Sequence, residues 1–448
     1  MAISRETIEK KNIYYTLLKP YVDFITKIYF RTTVNNFDKV PTDEIIIYAP
    51  NHQNALMDAL AVLATVDTEP VFLARADIFK KKTIEKILTF LKILPIYRIR
   101  DGKESLKNND AIFQKTIDVL KNKNGLVLLP EGSHAGIRKL RPLKKGIFRI
   151  AFEAEEANDF KLDIKIVPVG LDWSHYSKFR SRLFVNYGEP ISVSDYYEEY
   201  KNNAPRALYL LRERLEKELK RYMIHIENDE FYDMIDQLRY IYLPEMIRKK
   251  GLQWNKQPDM FNAQKEIIKN LETYIENNPS EAADLKEKTE KYISLLEKLN
   301  LRNWVIQKGS FNIFGILVQL LLSIIFLPLY IYGSIVNYLP YKLPVILTKK
   351  VKDPQFISSF RDVIGMLLFP IYYIILGIIS HFIDVEWYYK LAFFVFSPIT
   401  GLFAFQYYIA VKKLFAKIRY TIKKWFKNKD LQELKESYHY IKHYMDNI

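Results

Sequence analysis

His52 lies in the run Ala49-Pro50-Asn51-His52-Gln53-Asn54-Ala55-Leu56-Met57-Asp58. Imidazole titrates near neutral pH and is the side chain most often used as a general base. Asp58 is close enough in sequence to orient it and to stabilise an imidazolium. A histidine that merely caps the next helix is the plainer alternative, and the other polar residues must decide between them. A second run, Leu128-Leu129-Pro130-Glu131-Gly132-Ser133-His134, supplies a carboxylate and a glycine that lets backbone approach a ligand closely. Arg138, Lys139, Arg141, Lys144 and Lys145 follow it, a cluster suited to phosphate or another anion, or to a solvated basic loop. A third run, Pro95-Ile96-Tyr97-Arg98-Ile99-Arg100, puts two arginines on one face of an extended chain, and an arginine fork binds phosphate in bidentate fashion. Ser133 as a nucleophile is the competing chemistry, but no Gly-x-Ser-x-Gly turn surrounds it. No paired ligands accompany the two histidines, so no metal site is expected.

These residues need elements to bring them together. The run 45–49 is apolar, β-branched and closed by a proline, which reads as a buried parallel strand. A helical pattern starts near Met57. Further strands are expected at 69–74, 94–98, 125–130, 164–169 and 182–187, with helices at 78–91, 105–120 and 145–155. This alternation predicts an α/β fold, a mostly parallel sheet flanked by helices, over residues 38–200. His52, Arg98, Arg100 and Glu131 then end strands at the carboxyl edge, where open sheets bind ligands.

Residues 1–37 hold an amphipathic helix over 13–32, expected at a membrane interface or against the next domain. Residues 201–308 read as a helical region. Residues 309–411 read as a membrane domain: a hairpin broken near Pro328, or a re-entrant segment, within 311–347, then spans at 363–382 and 391–411, each near the roughly 20 apolar residues that cross a bilayer. A basic tail, 412–448, follows. Lys349, Lys350, Lys352 and Arg361 on one loop, the tail lysines, and Asp384 and Glu386 on the other loop place the tail and the first loop in the cytoplasm, by the excess of positive charge on that side. The hairpin or re-entrant reading of 311–347 puts the α/β domain there too, and a single crossing would put it outside.

The chain has 448 residues, a formal charge of +15 and no cysteine. Disulfides, thiolate metal sites and a cysteine nucleophile are excluded. The charge favours anionic lipid surfaces, phosphorylated substrates or nucleic acid. The basic residues border membrane segments or the anion-site runs, and no nucleic-acid motif appears, so that last partner is set aside.

Asn51-His52 with Asp58, the Arg98/Arg100 strand, Pro130-Glu131-Gly132-Ser133 and Ile166-Val167-Pro168-Val169 fall in the order of the four motifs of the glycerolipid (PlsC-like) acyltransferases. The resemblance covers about residues 38–192, ending on Gly188-Glu189-Pro190-Ile191, and the 79 residues from His52 to Glu131 suit that family. Its usual bacterial members have four residues between His and Asp, and here there are five. That spacing, Gly132-Ser133-His134, Leu140-Arg141-Pro142-Leu143-Lys144-Lys145-Gly146 and Phe179-Arg180-Ser181-Arg182 resemble the fungal-type glycerol-3-phosphate and dihydroxyacetone-phosphate acyltransferases.

The resemblance implies His52 as general base, Asp58 as its orienting carboxylate, and an acceptor-phosphate site around Glu131, Gly132, Ser133, Arg141, Lys144 and one of Arg98 and Arg100. Bacterial-type alignment favours Arg100 and fungal-type alignment Arg98. It implies no cofactor, an acyl thioester of coenzyme A or acyl carrier protein as co-substrate, direct attack by the acceptor hydroxyl, and membrane lipids as surroundings. Asp172-Trp173 would line the pocket or pack. Lys178, Arg180 and Arg182 would meet coenzyme A phosphates, lipid head groups or solvent. The expected activity is acyl transfer to glycerol 3-phosphate, with lysophosphatidate and dihydroxyacetone phosphate as alternative acceptors. A non-catalytic membrane scaffold is the reading from a different class.

Overall fold

The computed structural model describes residues 5–97 and 108–448. It divides into two compact units, Met1–His225 with Lys350–Val363, and Ile226–Lys349 with Ile364–Ile448.

The first unit is built on one eight-stranded sheet: β1 (Arg31–Asn35), β2 (Ile46–Pro50), β3 (Val71–Arg75), β4 (Ile93–Ile96), β5 (Leu126–Val127), β6 (Lys165–Trp173), β7 (Arg182–Tyr187) and β8 (Ile191–Ser192). The order is β1-β7-β6-β2-β5-β3-β4, with β8 also on β6. All pairs are parallel except β6 with β7 and with β8. β2 is central and buried throughout. Ile46 and Tyr48 enter one apolar core, and Ile45, Ile47 and Ala49 the other. A strand packed on both faces has to be apolar at every position, so the unbroken Ile-Ile-Ile-Tyr-Ala run places it in the middle of the sheet.

Helices cover both faces. α1 (Ile13–Tyr29) and α2 (Leu56–Leu63) contribute Tyr29, Met57, Ala61 and Val62 to one core. α3 (Lys82–Phe90) joins β3 to β4. α4 (Asn108–Lys121), α5 (Gly146–Glu156) and α6 (Tyr197–Tyr222) contribute to the other. β1 was not expected, since residues 13–32 read as helix. The helix ends at Tyr29, and the β-branched Thr32-Thr33-Val34 pairs with β7. Its mixed exposure hides an edge strand from any apolar pattern. α6 also belongs here rather than to the helical region. A Cβ on Gly170 of β6 would sit 1.8 Å from the Tyr222 carbonyl oxygen, so only glycine admits the end of that helix.

The second unit holds α7 (Tyr232–Lys249), α8 (Gln257–Asn277), α9 (Pro279–Lys298), α10 (Asn303–Lys308), α11 (Ile313–Ile325), α12 (Leu327–Leu347), most of α13 (Phe356–His381), α14 (Trp387–Trp425) and α15 (Lys429–Asp446). α13 and α14 are long and apolar enough to cross a membrane. The break expected near Pro328 is present: α11 and α12 meet at a bend of 51°. Pro328 sits in the first turn of α12, where its missing N–H is harmless. α12 packs on α14 through small residues: a Cβ on Gly333 would lie 2.3 Å from the Thr400 carbonyl oxygen. Asn337 donates to the carbonyls of Gly333 and Ser397 and accepts from the Tyr373 hydroxyl, which satisfies its amide where no water reaches. The expected basic tail is also folded. α14 runs on to Trp425, and α15 buries Leu431, Leu434, Tyr438 and Ile441. Ion pairs Lys298–Asp430 and Lys291–Glu433 join α15 to α9.

Candidate active site

β2 and β5 are parallel neighbours, with Ile47 opposite Leu126, so the residues that follow them emerge at one edge. Asn51 extends β2 by imitation. Its backbone N–H donates to the Val169 carbonyl, its amide nitrogen donates to the Leu171 carbonyl, and its side-chain oxygen accepts the Leu171 N–H at 2.6 Å. Because that side chain is fixed on β6, His52 is presented from a rigid strand end.

Asp58 occupies the first turn of α2 and is fully buried. Its Oδ2 accepts His52 Nδ1 at 2.9 Å and the backbone N–H groups of Gln53 at 2.7 Å and Asn54 at 2.6 Å. Its Oδ1 accepts the Trp173 indole N–H at 3.0 Å. The loop of five residues therefore wraps round the carboxylate, and this is how the longer His–Asp spacing still closes. A carboxylate only accepts, so the pairing assigns the ring proton to Nδ1 and leaves Nε2 as the basic nitrogen.

Glu131, from the loop after β5, is also buried. Its Oε1 accepts the backbone N–H of His52 at 2.6 Å, and its Oε2 that of Arg141 at 3.0 Å. Burial pushes its carboxyl up to about 8, against the two N–H bonds, which favour the charged form. Both oxygens are thus occupied by backbone, and Glu131 ties the two strand-end loops together. Gly132 has φ +67°, which favours glycine, and a Cβ there would meet Lys144 Cγ at 3.2 Å. Arg141 aims its guanidinium at the carbonyls of Ser133 and His134, and the Lys144 N–H donates to the Pro130 carbonyl while its side chain is exposed. Among the described residues nothing hydrogen-bonds the Ser133 hydroxyl. Arg98 and Arg100 lie outside the described residues. Arg180 holds the end of α1, through its backbone N–H to Tyr29 and its guanidinium to the Ile28 carbonyl. No group of three or more His, Asp and Glu side chains among the described residues is placed to hold a metal.

Residues 31–172 match the family model described as Acyltransferase. The α/β domain belongs to the acyltransferase family. The match spans β1 to β6 and includes His52, Asp58 and Glu131. The chain is similar to two proteins of Saccharomyces cerevisiae: glycerol-3-phosphate O-acyltransferase 2, 28% identical over 61% of this chain, and glycerol-3-phosphate O-acyltransferase 1, 24% identical over 60%. It spans only 38% and 37% of those relatives' lengths. The fungal-type resemblance and these relatives agree. A solved structure, the 1-acyl-sn-glycerophosphate acyltransferase PlsC from Thermotoga maritima, aligns over 47% of this chain and 81% of that one, at 18% identity and a TM-score of 0.34.

Two features of the acyltransferase domain were not legible beforehand. Trp173 was open to a packing or pocket role, and it is a buried donor to Asp58. The segment Lys350–Val363, which leads into α13, packs within this unit: the Ser358 hydroxyl donates to Asn54 Oδ1 at 2.9 Å, and His134 Nε2 lies 3.0 Å from Asp353 Oδ2. Nothing in the local sequence ties residue 353 to residue 134.

Proposed function

We propose that the chain is a membrane-bound O-acyltransferase that moves a fatty acyl group from an acyl thioester to glycerol 3-phosphate. The observation that carries this reading is the His52–Asp58 pair, held at the sheet edge with Nε2 as the basic nitrogen, inside an acyltransferase-family domain. His52 takes the proton from the acceptor hydroxyl as its oxygen attacks the thioester carbonyl carbon. The tetrahedral intermediate collapses, the C–S bond breaks, and the thiolate takes that proton from the imidazolium. Asp58 holds the ring and stabilises its charged form. Glu131 fixes the backbone on which His52 stands. Lys144, with Arg98 or Arg100, receives the acceptor phosphate. Acyl-CoA or acyl carrier protein is the donor, and lysophosphatidate and dihydroxyacetone phosphate are the alternative acceptors. The names of the two yeast relatives support glycerol 3-phosphate.

The acyltransferase domain and the ends of both spans fit a single topology. Residues 350–363 pack in the same unit as the residues before 226, so the chain crosses the bilayer an even number of times in between. α11 and α12 then form a bent re-entrant segment that enters and leaves on the domain's side, and α13 and α14 cross. The basic residues at 349–352 and 412–427 make that side cytoplasmic.

The deciding experiment is acyl transfer by the purified full chain, with each of the three acceptors and both donor types. Product from glycerol 3-phosphate, lost in His52→Ala while the variant still inserts in membrane, is expected. No product from any acceptor, or unimpaired turnover by His52→Ala, overturns the reading.

A further inference from the structure

We propose that His134 and Asp353 form a second histidine–carboxylate pair of the acyl-transfer site, with Asp353 positioning His134 and His134 donating an N–H to the oxyanion that forms on the thioester carbonyl. This rests on the acyl-transfer reading above.

His134 is mostly buried, at 13% side-chain exposure, on the loop that also carries Glu131. Its ring lies edge-on to the His52 ring, centroids 5.3 Å apart at 77°, and edge-on to Phe356, 4.8 Å apart at 90°. Its Nε2 is 3.0 Å from the Asp353 carboxylate. The bond to Asp353 and the two ring contacts hold the imidazole. Asp353 and Phe356 belong to the segment that opens α13, and Ser358 on the same segment bonds Asn54, two residues from His52. The segment ahead of the first span is therefore a wall of the site.

A hydroxyl within hydrogen-bond reach of His52 Nε2 places the attacked carbon about 3 Å further on, and a donor within reach of both is what an acyl-transfer site needs. The charged and titratable groups facing His134 are Asp353, His52 with Asp58 behind it, and Arg141, which bonds the His134 carbonyl. In the proposed arrangement the ring carries an N–H on each nitrogen: Asp353 accepts the one on Nε2, and the one on Nδ1 is the donor. His134 keeps its proton throughout. The only proton that moves goes from the hydroxyl to His52 and then to the thiolate, as the O–C bond forms and the C–S bond breaks.

The test is steady-state kinetics of the full chain with glycerol 3-phosphate and palmitoyl-CoA. His134→Ala should lower kcat roughly 10²- to 10³-fold, the usual cost of one oxyanion donor, with both KM values within about twofold of the parent. His134→Asn, whose amide nitrogen stands near the Nδ1 position, should recover about tenfold of that loss, and it keeps the test informative where His134→Ala fails to fold. Asp353→Asn should cost about tenfold in kcat alone, and nothing more in a His134→Ala background, because a positioning residue has no effect without the group it positions. A His134→Ala kcat within about threefold of the parent, a loss confined to KM, or independent, multiplying effects of the two substitutions overturns the inference and leaves the acyl-transfer reading intact. A parent that transfers no acyl group overturns both.

Discussion

Glu131 and His52, 79 residues apart, are joined by a hydrogen bond of 2.6 Å from the His52 backbone N–H to Glu131 Oε1. With Oε2 holding the Arg141 N–H, the carboxylate acts as a staple between the loop after β2 and the loop after β5. Its first task is to hold the loop that carries His52 in place.

Glu131→Gln should therefore damage both stability and turnover. The amide keeps one accepting oxygen but turns an NH2 on the other backbone N–H, and a buried donor left facing a donor costs about 1–3 kcal/mol. The parent should also carry a pH signature. Burial raises the carboxyl from 4.5 to about 8. Below pH 4.5 it is protonated folded or unfolded, and contributes nothing. Between those values the folded state binds more proton than the unfolded, so stability falls as pH rises, and above 8 the cost is complete. Thermal unfolding at pH 6 and pH 9 checks this: the parent's Tm should drop further than that of Glu131→Gln. Equal drops would show that Glu131 does not titrate in this window.

Asp58→Asn should lower kcat by about 10²- to 10⁴-fold, as expected when a base loses the carboxylate that sets its tautomer. The amide can still accept on one side, but its NH2 then opposes the Trp173 indole N–H or the donors of the loop. KM should hold, since Asp58 touches no substrate. Kinetics of the purified variant, with unfolding curves beside them, separate loss of chemistry from loss of fold.

Trp173→Phe is the milder probe of the same carboxylate. The ring retains its packing against Phe30, but Asp58 Oδ1 loses its donor. An orphaned buried acceptor costs about 1–3 kcal/mol, so a tenfold to hundredfold fall in kcat at near-constant KM is expected. A kcat unchanged within about twofold would mean that the other three donors alone hold Asp58.

The topology can be read directly because the chain has no cysteine. Single cysteines at Lys161 in the acyltransferase unit, Lys352 before α13 and Asp384 between the spans are all exposed. In sealed vesicles of one orientation, an impermeant maleimide should label Lys161→Cys and Lys352→Cys from the same side and Asp384→Cys from the other. Opposite labelling of the first two would mean that 313–347 crosses the bilayer.

The central strand, the α/β class, the apolar spans and the pairing of Asp58 with His52 were legible in the sequence. Each depends on local rules: an unbroken apolar run must be buried on both faces, about 20 apolar residues suit a bilayer core, and a strand end presents the residues that follow it. The extra residue between His52 and Asp58 was legible too, but not how the loop closes over it. β1 and the edge of the helical region were not, because an edge strand of mixed polarity has no pattern and α6 joins the sheet only through the space left at Gly170. Tertiary structure alone decided what each polar group does. It turned Glu131 from an expected ligand-binding residue into a backbone staple, committed Arg141 to the carbonyls of Ser133 and His134, made Trp173 a donor to Asp58, and brought Asp353 to His134 across 219 residues. Hydrogen bonds depend on positions in space, and a pairing between distant segments leaves no trace in the spacing of either one.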